Sequence, residues 1–450
     1  MDAIIEIHQR GAWQQAAIVE SLGDERCRFE YLPEYVFGDQ PMPLALGHPV
    51  QFEIPVTLPD GTTDRSVPPF LYDLVPQGRG RRYLVDLLRL ADHEGLVMPL
   101  VLHGASSPIG CLRLSTAVAF YRQQVALNPE PRAAVGFSLR AIKAKPDEFL
   151  QHLALHAMLA GGTTGVQGMA PKYLLTEDHD GRWFADAALD DTKAFRHWLV
   201  KLPRGRSKDD LLVHRQELAY LNAAKACGLR VHEGAFAAGT LLFVPRFDRR
   251  VTVSGVERLH QESLASVAGL RGFAPAATQN QLLAALRDHA SDPLAETIEF
   301  LQRDVLNLAL RNTDNHARNS AVQRFPDGTV QLTPLYDFAP MFLDPELVPR
   351  TQHWRDASGK RLDDWSAIVA ALKLSDAERT EVVRALRAFV PVIERLPTIA
   401  RDCGVEPKVL AQCRPAIDAQ LKSLGDLPAP AVDEDDRHAG RSVRKGPRRG

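Results

Sequence analysis

The sequence is poor in cysteine and lacks the long apolar runs of membrane proteins. Its five cysteines are scattered, odd in number and without any Cys-x-x-Cys pair, so neither a zinc site nor a disulfide framework is expected. No window of about 18 apolar residues occurs, which excludes a transmembrane helix. The first residues are acidic, where a secretory signal carries basic and then apolar residues. We therefore expect a cytoplasmic protein with no membrane association.

The sequence also lacks an excess of charge of either sign. Lysine and arginine number 54 against 56 aspartates and glutamates, which gives a formal net charge of −2. This balance excludes a nucleic-acid binder driven by overall charge, although it leaves room for a local basic patch. With 450 residues, 45% hydrophobic and 24% charged, the chain has the composition of a globular protein with two or three domains.

Changes in pattern divide the chain into three globular units and a tail, and the predicted fold class is α+β. Residues 1–125 mix short strands and helices, residues 126–255 contain strands around one clear helix, and residues 256–425 are mainly helical. Residues 426–450 combine prolines with acidic and then basic blocks. They should be disordered, either as a solvated tail or as a tether for an acidic partner.

Hydrophobic periodicity predicts the individual elements. Strands are expected at 4–8, 30–36, 51–56, 173–176, 195–202, 239–246, 330–332 and 335–338. Helices are expected at 82–90, 147–159, 212–227, 293–311, 365–372, 376–389 and 408–424. Residues 96–102 are expected to form an apolar strand or a loop. The helix at 293–311 is apolar nearly all round and should be buried.

The densest polar cluster follows directly after that apolar helix. It reads Asn-Thr-Asp-Asn-His-Ala-Arg-Asn over residues 312–319, and Asp337 follows 18 residues after Asn319. The spacing of Asp314, Asn319 and Asp337 is what phosphoryl transfer requires. One carboxylate accepts the proton of a substrate hydroxyl, while an amide oxygen and a second carboxylate hold Mg²⁺ against nucleotide phosphates. The alternative is an Asn/Asp-rich turn whose side chains cap backbone groups.

A kinase interpretation requires further parts upstream, and candidates for each occur in the expected order. A loop rich in glycine and threonine at 161–168 could bring backbone amides close to phosphate oxygens, although alone it could be a simple turn. Lys201 ends an apolar strand and Glu217 follows on a helix, as an ion pair near the phosphates requires. The strand at 241–245 could supply hinge backbone groups to an adenine ring.

These residues resemble the HipA-like serine/threonine kinases, which are toxins of bacterial type II toxin–antitoxin modules. The resemblance covers about residues 1–420, and its most specific part is the Asp/His/Asn cluster followed by Tyr336-Asp337. The other matching stretches are 69–76 with Arg81-Arg82, 109–113, 166–175, 200–203, 246–249, 260–262 and 334–337. No GxxxxGK[ST] pattern occurs, so an ordinary P-loop ATPase is disfavoured.

The resemblance implies a bilobal protein-kinase-like fold with an N-terminal α/β subdomain, a mainly helical C-terminal lobe, and ATP and Mg²⁺ as cofactors. It implies that Asp314 is the catalytic base and that Asn319 and Asp337 bind Mg²⁺. It places Lys201 on the ATP phosphates and gives His316 either an organising role in the catalytic loop or a purely structural one. The implied phosphate loop is Val166, Gln167, Gly168 and Met169, and the implied adenine and hinge residues are Phe243, Val244, Arg246 and Phe247. Asp248 and Arg249 are expected to form a structural ion pair beside the hinge.

The resemblance also implies a biological role. It predicts a growth-inhibiting toxin that phosphorylates a translation component such as an aminoacyl-tRNA synthetase, with a small DNA-binding antitoxin as partner and DNA contacted only through that partner. Two alternatives stay open. One is a small-molecule kinase on the same scaffold, which calls for an acidic pocket near Asp314. The other is a nucleotide-binding regulatory protein that works in a DNA-bound complex.

Two departures from the family pattern stand out. Relatives commonly carry a serine that is autophosphorylated to switch the enzyme off. Alignment on Pro171-Lys172 places Gly165 at that position, so this switch is in doubt unless Thr163 or Thr164 substitutes for the serine. The hinge also has Pro245 where an acidic residue is usual, which removes one backbone donor. Neither change affects the predicted base or metal ligands.

Overall fold

The computed structural model describes residues 2–52, 63–128, 135–144, 172–253 and 255–428. Several sequence-based predictions fall outside these ranges. They are the helix at 147–159, the glycine-rich loop at 161–168 and nearly all of the tail at 426–450. Most of the strand expected at 51–56 also lies outside the described residues.

The N-terminal part is an antiparallel four-stranded sheet with short helices packed against it. Its strands, in the spatial order β3-β2-β1-β4, are β1 (Asp2–Gln9), β2 (Ala12–Gly23), β3 (Arg26–Tyr31) and β4 (Leu112–Leu114). Its helices are α1 (Pro33–Val36), α2 (Pro69–Asp73), α3 (Gly78–Leu88), α4 (Met98–Gly104) and α5 (Ser115–Leu127). Alternate residues of β1, such as Ile5 and Ile7, are buried, as expected of a strand with one face on a core.

Two predictions for this part are wrong. The stretch 96–102 was expected to be a strand or a loop but contributes to helix α4, whose second position is Pro99. A short, uniformly apolar run carries no periodicity that separates a buried helix from a buried strand, and proline is tolerated in a first helical turn. The strand expected at 30–36 ends at Tyr31. Helix α1 starts at Pro33, again because proline is tolerated in the first turn of a helix.

The middle part is an antiparallel six-stranded sheet in the order β5-β7-β6-β8-β10-β9. The strands are β5 (Phe137–Ser138), β6 (Lys172–Asp178), β7 (Arg182–Ala185), β8 (Ala194–Lys201), β9 (Phe236–Ala238) and β10 (Leu241–Pro245). The helices are α6 (Leu139–Ala144) and α7 (Lys208–Ala226). Ser207 caps α7 by accepting a hydrogen bond from the Asp210 main-chain N–H at 3.0 Å. The strands expected at 173–176, 195–202 and 239–246 and the helix expected at 212–227 are confirmed.

The remaining residues form a mainly helical part with short strands. Its helices are α8 (Leu264–Val267), α9 (Gln279–His289), α10 (Pro293–Ala309), α11 (Trp365–Ala371), α12 (Asp376–Asp402) and α13 (Pro407–Gly425). Its strands are β11 (Arg249–Thr252), β12 (Gly255–Arg258), β13 (His260–Ser263), β14 (Ala321–Arg324), β15 (Val330–Leu332), β16 (Trp354–Arg355) and β17 (Arg361–Leu362). Helix α10 is buried as predicted, and the mixture of helices and sheets confirms the α+β class.

Two further predictions need correction. Residues 335–338 do not form a strand, because Asp337 adopts a left-handed conformation with φ +51° that turns the chain. Helix α12 continues to residue 402, well beyond the predicted end at 389, although it contains two prolines. Its buried face also continues, through Ile393 and Leu396, and this packing offsets the lost backbone hydrogen bonds.

Each part has its own buried apolar cluster, while the exact domain boundaries stay a prediction. Phe273 joins the N-terminal cluster although it follows helix α8, so that cluster extends across the contact between the first and last parts. The five cysteines carry free thiols. Across the described ranges, every helix is too short or too polar to cross a lipid bilayer.

Candidate active site

A central cleft lies where the six-stranded sheet, helix α7 and the segment around residue 337 meet. Its apolar lining consists of Ile109, Leu199, Leu221, Val244, Pro245, Phe247 and Tyr336. Its polar and charged lining consists of Lys172, Lys201, Glu217, Arg246, Asp248, Gln261 and Asp337. Apolar walls combined with a few charged groups suit a ligand that has a flat ring and a charged end.

The polar cluster 312–319 forms a loop that is anchored on helix α10. The main-chain N–H of Asn312 donates to the Asn307 carbonyl at 2.8 Å, and Asn312 Nδ2 donates to Asn307 Oδ1 at 2.9 Å. Asn315 Nδ2 donates to Asp304 Oδ1, on the same helix, at 3.1 Å. The polar residues that interrupt the apolar pattern of α10 therefore hold this loop.

Asp314 lies in the loop with its carboxyl group largely buried. Burial, together with the nearby negative charge of Asp337, raises the pKa of Asp314 to about 7. Asn319 Nδ2 donates to the Asp314 main-chain carbonyl at 2.6 Å and closes the loop behind it. A carboxyl group with a pKa near neutrality is well suited to accept a proton at physiological pH.

His316 is a neutral neighbour of Asp314. Its Nδ1 accepts a hydrogen bond from the Arg318 main-chain N–H at 3.2 Å, and its Nε2 lies 3.7 Å from Asp314 Oδ1. Burial lowers the pKa of His316 to about 4, and the positive charge of Arg318 contributes in the same direction. The proton of the neutral ring therefore sits on Nε2, facing Asp314. Both predicted roles of His316, organising the loop or purely structural, stay open.

Two lysines converge on Asp337. Lys172 on β6 and Lys201 on β8 lie directly opposite each other in the antiparallel register, so both side chains leave the same face of the sheet. Lys172 Nζ contacts both carboxylate oxygens of Asp337 at 3.1 Å, while Lys201 Nζ contacts Asp337 Oδ1 and Glu217 Oε1. The structure thus brings Lys201, Glu217 and Asp337 together. It also adds Lys172, to which sequence reasoning gave no role although this lysine lies within the matching stretch 166–175.

These contacts determine the charge states of Lys172, Lys201 and Asp337. Burial disfavours the charged form of Lys201, but Asp337 and Glu217 outweigh it and raise the pKa of this lysine. Burial also acts to raise the pKa of Asp337, but Lys172 and Lys201 hold it well below its usual range. The negative charges near Lys172 offset its burial only in part, so the pKa of this lysine falls to about 8. Two ammonium groups therefore share one carboxylate inside the cleft.

Asn319 and Asp337 suit the predicted role of magnesium ligands. Asn319 Oδ1 is buried and has no hydrogen-bond partner within the part of the chain that the structure describes. Mg²⁺ prefers oxygen ligands and commonly combines one or two carboxylates with phosphate oxygens. The same described residues contain no group of three or more His, Cys, Asp or Glu side chains that could hold a metal alone.

Only some of the residues predicted to form the adenine and hinge region, on and just after strand β10, face the cleft. Val244 and Phe247 line it, as expected. Phe243 does not, because successive side chains of a strand point to opposite faces. It is fully buried behind the sheet, where its ring stacks on Phe236 with a centroid distance of 4.7 Å. The expectation for Phe243 is therefore corrected.

Arg246 borders the cleft, but its guanidinium group is engaged elsewhere. Its Nη1 donates to Asp186 Oδ2 at 2.9 Å and its Nη2 to Asp248 Oδ2 at 2.7 Å. Arg249 Nη1 donates to the same Asp248 oxygen at 2.6 Å, so the ion pair expected beside the hinge is present. Any contact of Arg246 with a nucleotide would fall to its main chain.

Comparison with known proteins identifies the family. The family model of the HipA-like C-terminal domain matches residues 164–393, just over half of the chain. The model of the HipA N-terminal domain matches residues 11–115. The chain belongs to the HipA-like kinase family.

A curated relative and a solved structure agree with this assignment. The chain is 26% identical over 322 residues to the serine/threonine-protein kinase toxin HipA of Shewanella oneidensis. The aligned stretch spans 65% of this chain and 66% of the relative's length. A chain in the solved complex of Shewanella oneidensis HipA, HipB and operator DNA matches with a TM-score of 0.61 at 18% identity, covering 93% of this chain and 96% of that one. The structural match confirms the predicted protein-kinase-like fold.

The HipA N-terminal region contributes directly to the cleft, which sequence reasoning did not predict. Ile109 lines the cleft, and the next residue, Gly110, donates its main-chain N–H to Asp248 Oδ2 at 2.8 Å. Arg249 Nη1 returns a hydrogen bond to the Gly110 carbonyl at 2.7 Å. The hinge is thus fixed from the N-terminal side. These partners lie about 140 residues apart in sequence, so no local pattern could have revealed them.

The predicted phosphate loop lies outside the described residues. This applies to Val166, Gln167, Gly168 and Met169, and also to Thr163, Thr164 and Gly165, where the family's regulatory serine would align. Their roles stay predictions.

The two faces of β10 give a test of the cleft's position. Val244→Trp should prevent nucleotide binding with little loss of stability, because the larger ring would fill the cleft. Phe243→Ala should reduce the free energy of unfolding by about 3–5 kcal/mol, because the aromatic ring is fully buried in the core. Calorimetric nucleotide titration and chemical denaturation of both variants measure the two effects. Similar nucleotide affinities for Val244→Trp and the wild type would contradict the assignment of faces.

Proposed function

We propose that this HipA-like protein is an ATP- and Mg²⁺-dependent serine/threonine protein kinase that acts as a growth-inhibiting toxin. The observation that carries the proposal is the placement of Asp314. Its carboxyl group has a pKa of about 7 and lies in a loop anchored on α10, beside Asn319 and the cluster of Asp337 with its two lysines. A base, metal-ligand oxygens and phosphate-binding cations are the parts that phosphoryl transfer needs.

Each group has a distinct role in the proposed reaction. Asp314 orients the acceptor hydroxyl and takes its proton as the new oxygen–phosphorus bond forms, while the bond to the leaving ADP oxygen breaks. Asn319 and Asp337 would hold Mg²⁺, which supplies charge neutralisation on the phosphate oxygens. Lys172 and Lys201 offset the remaining negative charge from the face of the sheet. Glu217 keeps the Lys201 ammonium group in place.

The proposed base predicts a pH dependence. Asp314 must be ionised to accept a proton, and its pKa is raised to about 7. We therefore expect kcat/KM for the acceptor substrate to rise with pH and to level off above an inflection at about 7, since this ratio reports the free enzyme. Steady-state rates between about pH 5.5 and 8.5 measure it. A flat profile over this range would count against Asp314 as the base.

The surface beside Asp314 favours a peptide over a cationic small molecule as the phosphate acceptor. We call it the acceptor groove; it is lined by Phe273, Ala274, Pro275, Ala276, Ala277, Thr278, Gln281, Asp314, His316, Ala317, Val348, Pro349, Thr351, Gln352 and Arg355. Among the described residues, Asp314 is the one carboxylate in this lining, and Arg355 contributes a positive charge. A sugar or antibiotic kinase calls for an acidic pocket here. A neutral, largely apolar groove suits an extended chain that carries a serine or threonine.

The biological role is proposed from the family relationship. The Shewanella relative is named a toxin, and the matching solved complex contains HipA, HipB and operator DNA. For this chain we propose a cytoplasmic kinase with a small DNA-binding antitoxin as partner, which contacts DNA through that partner. The proposed substrate class is a translation component such as an aminoacyl-tRNA synthetase.

Induced expression with labelled ATP tests the proposal. Wild type should arrest growth and label a cellular protein, whereas Asp314→Asn should do neither. Asp356→Asn is the matched control, because Asp356 is a half-buried carboxylate that accepts hydrogen bonds only within its own turn among the described residues. Labelling without growth arrest would remove the toxin role and keep the kinase. Equal behaviour of wild type and Asp314→Asn, with nucleotide bound but no phosphate moved, would favour a regulatory nucleotide-binding protein.

A further inference from the structure

A carboxylate of the N-terminal region reaches the catalytic loop. Asp73, the last residue of helix α2, accepts a hydrogen bond from Arg318 Nη1 on its Oδ1. Ser263, which caps helix α8, donates to the same carboxylate from its main-chain N–H at 2.9 Å and from its Oγ at 2.8 Å. The side chains of Asp73 and Arg318 are only 4% and 3% exposed, so the ion pair is almost completely enclosed.

Arg318 connects several parts of the active site at once. Its main-chain N–H donates to His316 Nδ1. The proton of the neutral ring is therefore on Nε2, the nitrogen that lies nearer to Asp314. The carbonyl of Arg318 accepts a hydrogen bond from the Tyr336 hydroxyl at 2.9 Å, one residue before Asp337. Its Nη2 donates to the Gly272 carbonyl at 2.5 Å. The residue after it is Asn319, the proposed metal ligand.

The loop therefore has two anchors of different origin. Asn312 and Asn315 tie its first half to helix α10 within the C-terminal lobe. Arg318 ties its second half, which contains His316 and Asn319, to a carboxylate that is 245 residues away in sequence. A guanidinium group buried without its counter-charge is strongly unfavourable, so loss of Asp73 would move Arg318 and the backbone around it.

We propose that Asp73 is a positioning residue for phosphoryl transfer, and that the N-terminal region thereby sets the geometry of the catalytic loop through Arg318. The effect of Asp73 on the rate of phosphoryl transfer rests on the proposed kinase function. Asp73 lines neither the cleft nor the acceptor groove. It acts by holding Arg318, which in turn places His316 and Asn319 around Asp314.

The test compares Asp73→Asn with Asp64→Asn. Asp64 is the matched control, because its carboxylate also joins the N-terminal region to the C-terminal lobe, through Arg271 Nη2 at 2.9 Å, but that ion pair is partly exposed and makes no side-chain contact with Arg318, which reaches this segment only at the Gly272 carbonyl. Asp73→Asn should lower kcat by about 100-fold while KM for ATP and the binding stoichiometry of ATP stay at the wild-type values. Asp64→Asn should leave both parameters unchanged. A wild-type kcat in a folded Asp73→Asn protein would overturn the proposal.

Hydrogen–deuterium exchange makes the test independent of turnover. The Arg318 and Asn319 amides are hydrogen-bonded within the loop, so peptides that cover 312–319 should exchange faster in Asp73→Asn and not in Asp64→Asn. Unchanged exchange would refute the positioning role even if the wild type proved inactive as a kinase. An inactive wild type with the expected exchange pattern would instead refute the proposed function alone.

A second variant covers the case in which Asp73→Asn does not fold. The double variant Asp73→Asn/Arg318→Gln removes both charges and leaves no unpaired ion in the interior. It should fold, bind ATP with wild-type affinity and show the same loss of kcat and the same faster exchange. A double variant with the wild-type rate and exchange would exclude the inference.

Discussion

Replacement of Asp314 by asparagine should abolish most of the activity and make the protein more stable. Loss of a general base typically lowers a rate by about 10²–10⁴-fold. The stability gain follows from the pKa of Asp314, which the fold raises from 3.8 to about 7, mainly by burial. The ionised carboxylate therefore destabilises the folded state at neutral pH, and an amide of the same shape removes this effect. At about 1.4 kcal/mol per pKa unit, the gain is up to about 4 kcal/mol.

The pH dependence of this gain provides its control. The destabilising contribution appears as pH rises above the unfolded pKa near 4 and becomes complete above the folded pKa near 7. Urea denaturation at about pH 8 should show Asp314→Asn more stable than wild type, whereas the two should coincide at about pH 3.5. A variant less stable than wild type at pH 8 would mean that Asp314 makes a stabilising ion pair, contrary to its predicted environment.

Replacement of Asp337 by asparagine should also abolish phosphoryl transfer but should destabilise the protein. Lys172 and Lys201 hold the pKa of Asp337 well below its usual range, so the ionised carboxylate stabilises the fold throughout the neutral region. Its loss leaves two buried ammonium groups facing each other without the carboxylate that both contact, and breaking a buried ion pair costs about 3–5 kcal/mol. Denaturant titration and phosphate transfer measured on the same preparations check both effects.

Two comparisons separate the role of Asp337 from a general loss of stability. Glu296→Gln breaks the ion pair between the buried Glu296 and the half-buried Arg230, which do not line the cleft, so it should reduce stability and spare the activity of the folded protein. The deficit of Asp337→Asn should also shrink at about pH 9, because the pKa of Lys172 is lowered to about 8 and this lysine is then largely neutral in the wild type. A constant deficit from pH 6 to 9 would argue against the ion pair with Lys172.

The two aspartates differ only in their surroundings. Asp314 is buried beside another carboxylate, and Asp337 is buried between two lysines. The first environment produces a proton acceptor that titrates near neutral pH, and the second a permanently ionised group suited to a cation. Residue type and spacing predict that both take part in phosphoryl transfer, whereas the opposite directions of their pKa values come from contacts with distant strands.

Much of the site could be predicted because its parts are local in sequence. Asp314, His316 and Asn319 belong to one eight-residue cluster after a buried helix, and the structure keeps them together. Lys201 and Glu217 end a strand and lie on the next helix, and their contact is confirmed. The errors occurred where the local pattern does not specify the direction in which a side chain points. Strand β10 turns Phe243 away from the cleft that Val244 lines, because neighbouring residues face opposite sides.

The remaining parts of the site arise from contacts between distant segments. Lys172 becomes important because strand register places it opposite Lys201. Ile109 lines the cleft and Asp73 holds Arg318 because the N-terminal region packs against the hinge and against helix α8. Such contacts have no local sequence signal, since an aspartate at the end of a short helix has the same neighbours in the chain whether or not an arginine approaches it.

The sequence by itself therefore determined the family, the α+β class and the position of the polar cluster proposed to be catalytic, because each depends on residue types at short, regular spacing. Only the tertiary structure decided which charges are buried together, which face of the hinge strand forms the cleft and which residue of the N-terminal region contacts the loop 312–319. The physical reason is that burial and ion pairing depend on distances through space, which packing sets once the whole chain has folded.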